Sequence, residues 1–196
     1  MAKRIFDFLA SLFGIALLFP FFLLISVWII IDSGFPVFFL QSRVGKGGRE
    51  FKLIKFRSMK KASEKAGQLT VGNADPRITP SGRFLRKYKL DELPQLFNVL
   101  AGDMSLVGPR PEVRKYTELY SEDQKKILNV KPGITDYASI EYSNENELLG
   151  KAGNPEQFYI EVIMPAKLEL NKKYLENPGL GSDLKIIWLT LKKILS

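Results

Sequence analysis

Apolar and polar positions divide the chain into one long apolar segment and a body of short amphipathic ones. No residue is charged from Phe8 to Ile31, a run of roughly 24 positions that would reach about 36 Å as a straight helix. Asp32-Ser33-Gly34 and Phe35-Pro36 read as its stop. The run is too long for a signal peptide, and no small-residue cleavage site follows it. Val37 to Gln41 and Phe51 to Phe56 then flank Gly45-Lys46-Gly47-Gly48, the pattern of a β-hairpin with a glycine-rich turn. Thr79-Pro80 predicts an N-cap with proline at the first helical position, opening a helix with Arg83, Arg86, Lys87 and Lys89. Leu93, Leu96, Phe97 and Leu100 recur at helical spacing before Gly102. Pro94 is tolerated only near a helix start, so Asp91 and Glu92 fall at the N-terminus, where the helix dipole favours negative charge.

Farther on, Met104 to Val107 is extended and leads into Gly108-Pro109-Arg110-Pro111. Short helices are expected around Glu112 to Leu119 and Glu122 to Leu128, the second opened by Ser121 with Gln124 three on. Lys131-Pro132-Gly133-Ile134-Thr135 reads as a rigid turn, and Asp136 to Tyr142 alternates as a short strand would. Pro155 begins a long helix to about Leu175. Ser182 to Leu195 puts Leu184, Ile187, Trp188, Leu191 and Leu195 on one side and Lys185, Lys192 and Lys193 elsewhere. Such a helix suits a membrane surface or a core-packing position with a solvated lysine face, and both readings stand. Residues 60–75, polar with Gly67, Gly72 and Asn73, form a loop whose composition permits a lid over substrate. The pattern predicts an α+β, mostly helical protein with a membrane element over 1–34 and one compact domain over 35–196.

Hydropathy alone makes the apolar run a single transmembrane anchor. Three features favour a re-entrant helix-break-helix instead. Pro20 lies mid-run, where it removes a helical hydrogen bond. Lys3 and Arg4 precede the run, while Arg43, Lys46, Arg49, Lys52, Lys55 and Arg57 follow it. Basic residues mark the cytoplasmic side, so both ends are expected there. Asp7, Ser11 and Ser26 offer partners if the segment doubles back.

Charge and missing residue types narrow the chemistry. The 196 residues carry a formal net charge of +8, a surplus that suits nucleic acid, an anionic leaflet or phosphorylated substrates. Beside an apolar segment, lipid and phosphate are favoured and no nucleic acid is expected. The sequence has no Cys and no His. That excludes disulfides, thiol nucleophiles, histidine bases and imidazole or thiolate metal sites. An enzyme built from this chain works with carboxylates, hydroxyls, Lys, Arg, Tyr and a hard metal such as Mg²⁺, which takes oxygen ligands.

Six short motifs occur in order: Lys3-Arg4-Ile5-Phe6-Asp7 before the apolar run, Lys55-Phe56-Arg57-Ser58-Met59, Leu90-Asp91-Glu92-Leu93-Pro94-Gln95-Leu96, Gly102-Asp103-Met104-Ser105, Val107-Gly108-Pro109-Arg110-Pro111 and Lys131-Pro132-Gly133-Ile134-Thr135. Over almost the whole chain the sequence resembles the bacterial sugar transferase family, the small monotopic phosphoglycosyl transferases. The resemblance implies a re-entrant helix and a catalytic domain on the cytoplasmic face of the bacterial inner membrane. It implies Mg²⁺, a UDP-sugar donor and a polyprenyl phosphate acceptor in the membrane lipid, with UMP released through a covalent phosphosugar-aspartate. Residue by residue it makes Asp91 the nucleophile and Glu92 the metal ligand. Arg110 and Pro111 would hold the nucleotide's phosphates, and Arg86, Lys55 and Arg57 would line the phosphate site. A homodimer is among the assemblies it allows.

Physical chemistry agrees with those roles. A carboxylate can attack phosphorus once cations neutralise the diphosphate. Neighbouring helical residues point about 100° apart, so Asp91 and Glu92 suit different tasks. Taken singly, an Asp-Glu pair at a helix start is more often a cap, and a Gly-Pro-Arg-Pro turn is more often structural. The competing reading is a membrane-tethered basic scaffold for lipid or nucleic acid, without catalysis. Many relatives continue past Pro-Gly-Ile-Thr with Gly-Trp, where this chain has Asp136-Tyr137, so the hexose stays open. Cysteines placed at residues 2 and 35 should label from the same side of the membrane; labelling from opposite sides would rule out the re-entrant path.

Overall fold

The computed structural model describes residues 2–61, 69, 71–72 and 75–195. Most of the predicted loop over 60–75, and with it the lid, lies outside the described residues. The apolar run forms α1 (Ala2–Ser33), long and apolar enough to cross a membrane. The expected break at Pro20 is absent: α1 continues through it as one helix. Proline forfeits one hydrogen bond there, and the packing of Phe22, Ile25 and Ile29 beyond it carries the helix on.

The body lies along α1 and holds both of its ends. Near the start, Arg4 donates to the carbonyls of Val99 and Leu100 at 2.6 and 2.9 Å. Those are end carbonyls of α3 (Gln95–Ala101), which a cation caps favourably. Buried Asp7 accepts from Ser105 Oγ at 2.8 Å and from the Leu106 amide at 3.1 Å. Lys3 donates to the Val107 carbonyl and to Asp183. At the other end Asp32 accepts from the amide and hydroxyl of Ser81, the latter at 2.6 Å. Between them, the Phe22 ring meets Phe56 edge-on at 5.5 Å and tilts against Phe97 at 5.8 Å. The opposite side of α1 leaves Leu9, Phe13, Leu17, Leu24 and Ile31 exposed, an apolar surface suited to lipid.

The hairpin forms as expected. β1 (Phe38–Val44) pairs antiparallel with β2 (Glu50–Phe56), Phe38 opposite Phe56 and Val44 opposite Glu50. Asn98 of α3 joins the hairpin, accepting from the Ile54 amide and donating to the Lys52 carbonyl. The helix α2 (Pro80–Lys87) has Thr79 as its N-cap, accepting from the Gly82 amide. A Cβ on Gly82 would lie 2.0 Å from the Ser58 carbonyl oxygen, so α2 reaches the end of β2 only with glycine there.

Two expectations from the sequence are corrected. The supposed rigid turn contains β4 (Gly133–Thr135), which pairs in parallel with β3 (Ser105–Val107). A local reading cannot see a strand whose hydrogen bonds go to a distant segment. Asp136 to Tyr142 is no strand: Asp136 accepts from the Ser139 amide at 2.6 Å and caps α5 (Tyr137–Glu141). An N-terminal Asp with free amides ahead of it outweighs a seven-residue alternation.

The rest is helical: α4 (Arg114–Thr117), α6 (Glu145–Lys151), and α7 (Pro155–Phe158) running through a π-turn at Tyr159–Ile163 into α8 (Met164–Glu176). These pack around Tyr116, Tyr120, Tyr159 and Leu168. The last helix, α9 (Leu180–Leu195), packs on the body through a face other than the one its pattern predicted. Its Ile186 is buried with Val107 and Tyr174, while Leu184, Trp188 and Leu191 are exposed.

The β3–β4 crossing is the tightest backbone approach near Arg110. A Cβ on Gly133 would lie 2.1 Å from the Gly108 amide nitrogen. Gly133→Ala should therefore destabilise the protein by about 1–3 kcal/mol, as overpacking against rigid backbone does. A thermal midpoint equal to that of the parent protein would refute this.

Candidate active site

Three separate pieces of chain bring their side chains to one carboxylate. Glu92 ends a single 3₁₀ turn, Leu90–Glu92, between α2 and α3. The turn is entered through Lys89 in the left-handed region at φ 57°, and that reversal carries the chain from α2 into the site. Lys55 from β2 donates to Glu92 Oε1 at 3.0 Å. Arg110, from the turn after β3, meets the same carboxylate in fork geometry, with Nη1 on Oε2 at 3.1 Å and Nη2 on Oε1. Burial pushes the Glu92 carboxyl up, but Arg110 and Lys55 outweigh it and hold the group well below the usual range. Arg110 is raised in turn by Glu92, while burial pulls Lys55 down against Glu92's opposing charge.

Asp91 has the opposite environment. It is 6% exposed, and no hydrogen bond reaches its carboxylate from the described residues. Burial and then the Glu92 charge raise it, with Lys55, Arg86 and Lys89 pulling the other way. Two adjacent carboxylates are thus driven apart, one neutralised by cations and one left bare. Such divergence marks sites with assigned chemical roles.

The sequence candidates divide accordingly. Lys55, Glu92 and Arg110 are in contact, Asp91 lies beside them, and half-buried Arg86 acts on Asp91 through its field. Pro111 is buried and its carbonyl accepts from Arg43 Nη1 at 3.1 Å, so it frames Arg110. Arg57 stands apart from the pair. It is 5% exposed and donates to Ser33 Oγ at 2.8 Å and to the Gly34 carbonyl, at the end of α1.

Other residues that matter here carry little or no local signal. Asp136, fully buried, accepts the Arg110 amide at 3.0 Å as well as that of Ser139, and so holds the turn that aims Arg110. Only its pattern as a capping residue with Ser three positions on could have pointed to it. Arg43 joins Pro111 and Glu112, and Glu112 accepts from Tyr159 at 2.5 Å inside the helical core. Nothing local marks that network. Gln95 is 1% exposed and leaves Nε2 without a partner among the described residues, one turn beyond Asp91.

A buried carboxylate without an ion pair among the described residues, next to a cation-neutralised one on a body fastened along an apolar helix, is an arrangement suited to group transfer at a membrane. Likeness to known proteins names the group. The bacterial sugar transferase model matches residues 1–196, and the chain belongs to that family. It is 39% identical over 197 residues to the UDP-N-acetylgalactosamine-undecaprenyl-phosphate N-acetylgalactosaminephosphotransferase of Aeromonas hydrophila, covering 99% of this chain and 44% of that protein. It is 39% identical over 193 residues to the uncharacterized sugar transferase EpsL of Bacillus subtilis, covering 98% of this chain and 87% of EpsL. The UDP-glucose:undecaprenyl-phosphate glucose-1-phosphate transferase of Escherichia coli is 34% identical over 197 residues, 40% of its length. The chain thus spans under half of the Aeromonas and Escherichia relatives and most of EpsL.

The divergent pair makes a stability prediction. A carboxyl raised by burial opposes folding where it is ionised, so Asp91→Asn should raise the thermal midpoint at neutral pH. That gain should shrink as pH falls through the raised Asp91 value toward the ordinary aspartate range. Glu92, held low, stabilises above its unfolded value and loses this as pH falls through its lowered one. Glu92→Gln strands two buried cations and should cost about 3 kcal/mol. Equal midpoints for both variants across pH would refute the assignment.

Proposed function

We propose that this protein moves a sugar-1-phosphate from a UDP-sugar to a polyprenyl phosphate, giving a polyprenyl-diphosphate sugar and UMP. The observation that carries this is the bare Asp91 beside the neutralised Glu92. Asp91's oxygen attacks the β-phosphorus of the donor, and the bond from that phosphorus to the UMP oxygen breaks as UMP leaves. An oxygen of the acceptor phosphate then attacks the same phosphorus, and the bond to Asp91 breaks. Division into two displacements is what a carboxylate nucleophile offers. No ion pair engages Asp91 among the described residues, so its ionised form is free to attack, and the fields of Lys55, Arg86 and Lys89 favour that form against burial.

The cations serve the phosphates. Arg110 has a planar fork that suits phosphate as well as carboxylate, and Lys55 lies on the same oxygen of Glu92. Arg86 adds positive field on the Asp91 side. Asp136, through the Arg110 amide, keeps that fork aimed.

Mg²⁺ is the proposed metal. Glu92 Oε1 accepts two hydrogen bonds and Oε2 one, so a lone pair on Oε2 remains for a hard cation. Among the described residues no three acidic side chains gather, which suits an ion held by one carboxylate and the substrate's own phosphates. When bound, the ion would supply charge neutralisation at the diphosphate.

A monotopic placement of the unbroken α1 belongs to the same reading. Residues 3, 4 and 7 and residues 32 and 33 all bond to one body. A crossing helix would have to place its two ends on opposite sides of about 30 Å of hydrocarbon. The shared anchorage supports a monotopic helix with the site at headgroup depth, and the basic flanks support the cytoplasmic face.

The test is intact mass of nanodisc-held protein incubated with Mg²⁺ and a panel of UDP-sugars, without acceptor. The expected result is a phosphosugar adduct that Asp91→Asn abolishes. UMP release that needs acceptor and never shows an adduct would mean direct transfer, and inactivity with every donor would favour the lipid-binding scaffold.

A further inference from the structure

We infer that Arg57 receives the phosphate of the lipid acceptor where the end of α1 meets the hairpin, beside the exposed Phe35 and Phe38. This rests on the proposed reaction and divides its phosphate site: Lys55 and Arg110 serve the donor side, Arg57 the acceptor.

Arg57 is set apart by the hydrogen bonds it does not make. It is 5% exposed, yet its Nε and Nη1 are buried without a partner among the described residues. Its remaining nitrogen donates to Ser33 Oγ and the Gly34 carbonyl, both neutral. No carboxylate forms an ion pair with it among the described residues. Asp32, the acid nearest its Ser33 and Gly34 partners in sequence, is already taken by the amide and hydroxyl of Ser81. A guanidinium out of water with two idle donors and no counter-charge is costly to leave so. The cost is removed by an anion offering two oxygens side by side, the match that phosphate makes with arginine.

Position says which phosphate. Arg57 lies two residues beyond Lys55, roughly 7 Å along the extended chain from the residue that holds Glu92. It is fastened to the end of α1, where the apolar helix gives way to the body. Its amide donates to the Val37 carbonyl at 2.8 Å, so the guanidinium and the residues after α1 form one unit. On the segment after α1, Phe35 is 65% and Phe38 40% exposed, the Phe38 ring stacked on Phe56 at 5.4 Å, and Ile31 on the outward face of α1 is 80% exposed. A prenyl phosphate has both parts, an anion for Arg57 and a hydrocarbon chain for the apolar surface at this end of α1. Lys55 and Arg110, by contrast, already share Glu92 on the far side of the pair.

Arg57→Gln separates the two half-reactions. With undecaprenyl phosphate as acceptor, its KM should rise about tenfold or more, while adduct formation from the UDP-sugar stays within about twofold of the parent rate. Arg57→Lys should recover part of the KM. If Arg57→Gln does not fold, Phe35→Ala combined with Phe38→Ala must give the same selective rise in acceptor KM. The assignment is overturned if adduct formation and turnover fall by one factor, because Arg57 then belongs to the donor side. It is equally overturned if acceptor KM is unchanged while retention on phosphatidylglycerol vesicles drops, which would make Arg57 a headgroup anchor. Should the parent protein form no adduct, the two-step reaction fails, and acceptor KM measured by UMP release still judges Arg57.

Discussion

The site depends on one buried carboxylate with two cations on it. Glu92 ties β2 through Lys55 and the turn after β3 through Arg110, so three segments far apart in the chain close on a single charge. Taking three ions out of water is expensive unless each finds its partner, and an incomplete set would be worse than none. The arrangement therefore acts as a register: only the correct packing of hairpin, 3₁₀ turn and β3–β4 crossing satisfies it. Asp91 shares the burial and makes no ion pair among the described residues.

A second constraint orients the body to the membrane. An apolar helix of 32 residues would by itself choose only depth and tilt. Here Arg4, Asp7 and Lys3 at one end and Asp32 and Ser33 at the other make hydrogen bonds to α3, β3, α9, α2 and the residue after β2. Polar residues next to lipid are costly unless paired, so these contacts are strong and specific. They hold the turn of Asp91 and Glu92 beside the helix and leave the outward face of α1, and a stripe of α9, exposed.

The two constraints meet at the end of β2. Lys55 points to the catalytic pair, and Arg57, two residues on, points to the end of α1. The hairpin thus joins the carboxylate pair to the end of the apolar helix. Its glycine-rich turn lies at the opposite end, away from the Lys55 and Arg57 contacts.

Much of this architecture is legible in the amino-acid sequence. The apolar run, the hairpin, the Thr79 cap, the Gly102 stop and the six ordered motifs depend on short-range sterics, capping and periodicity, which a local stretch of sequence carries in full. So does the shortlist of chemistry, since a chain without Cys or His has few groups left to use. Tertiary structure alone decided the rest. It turned Gly133–Thr135 into a strand, because β-pairing is completed by a partner elsewhere. It made Asp136 a clamp on Arg110, gave Glu92 its two cations, and left Asp91 and Arg57 without theirs. Which charges are neutralised is a property of distances between segments, and a sequence states only their order.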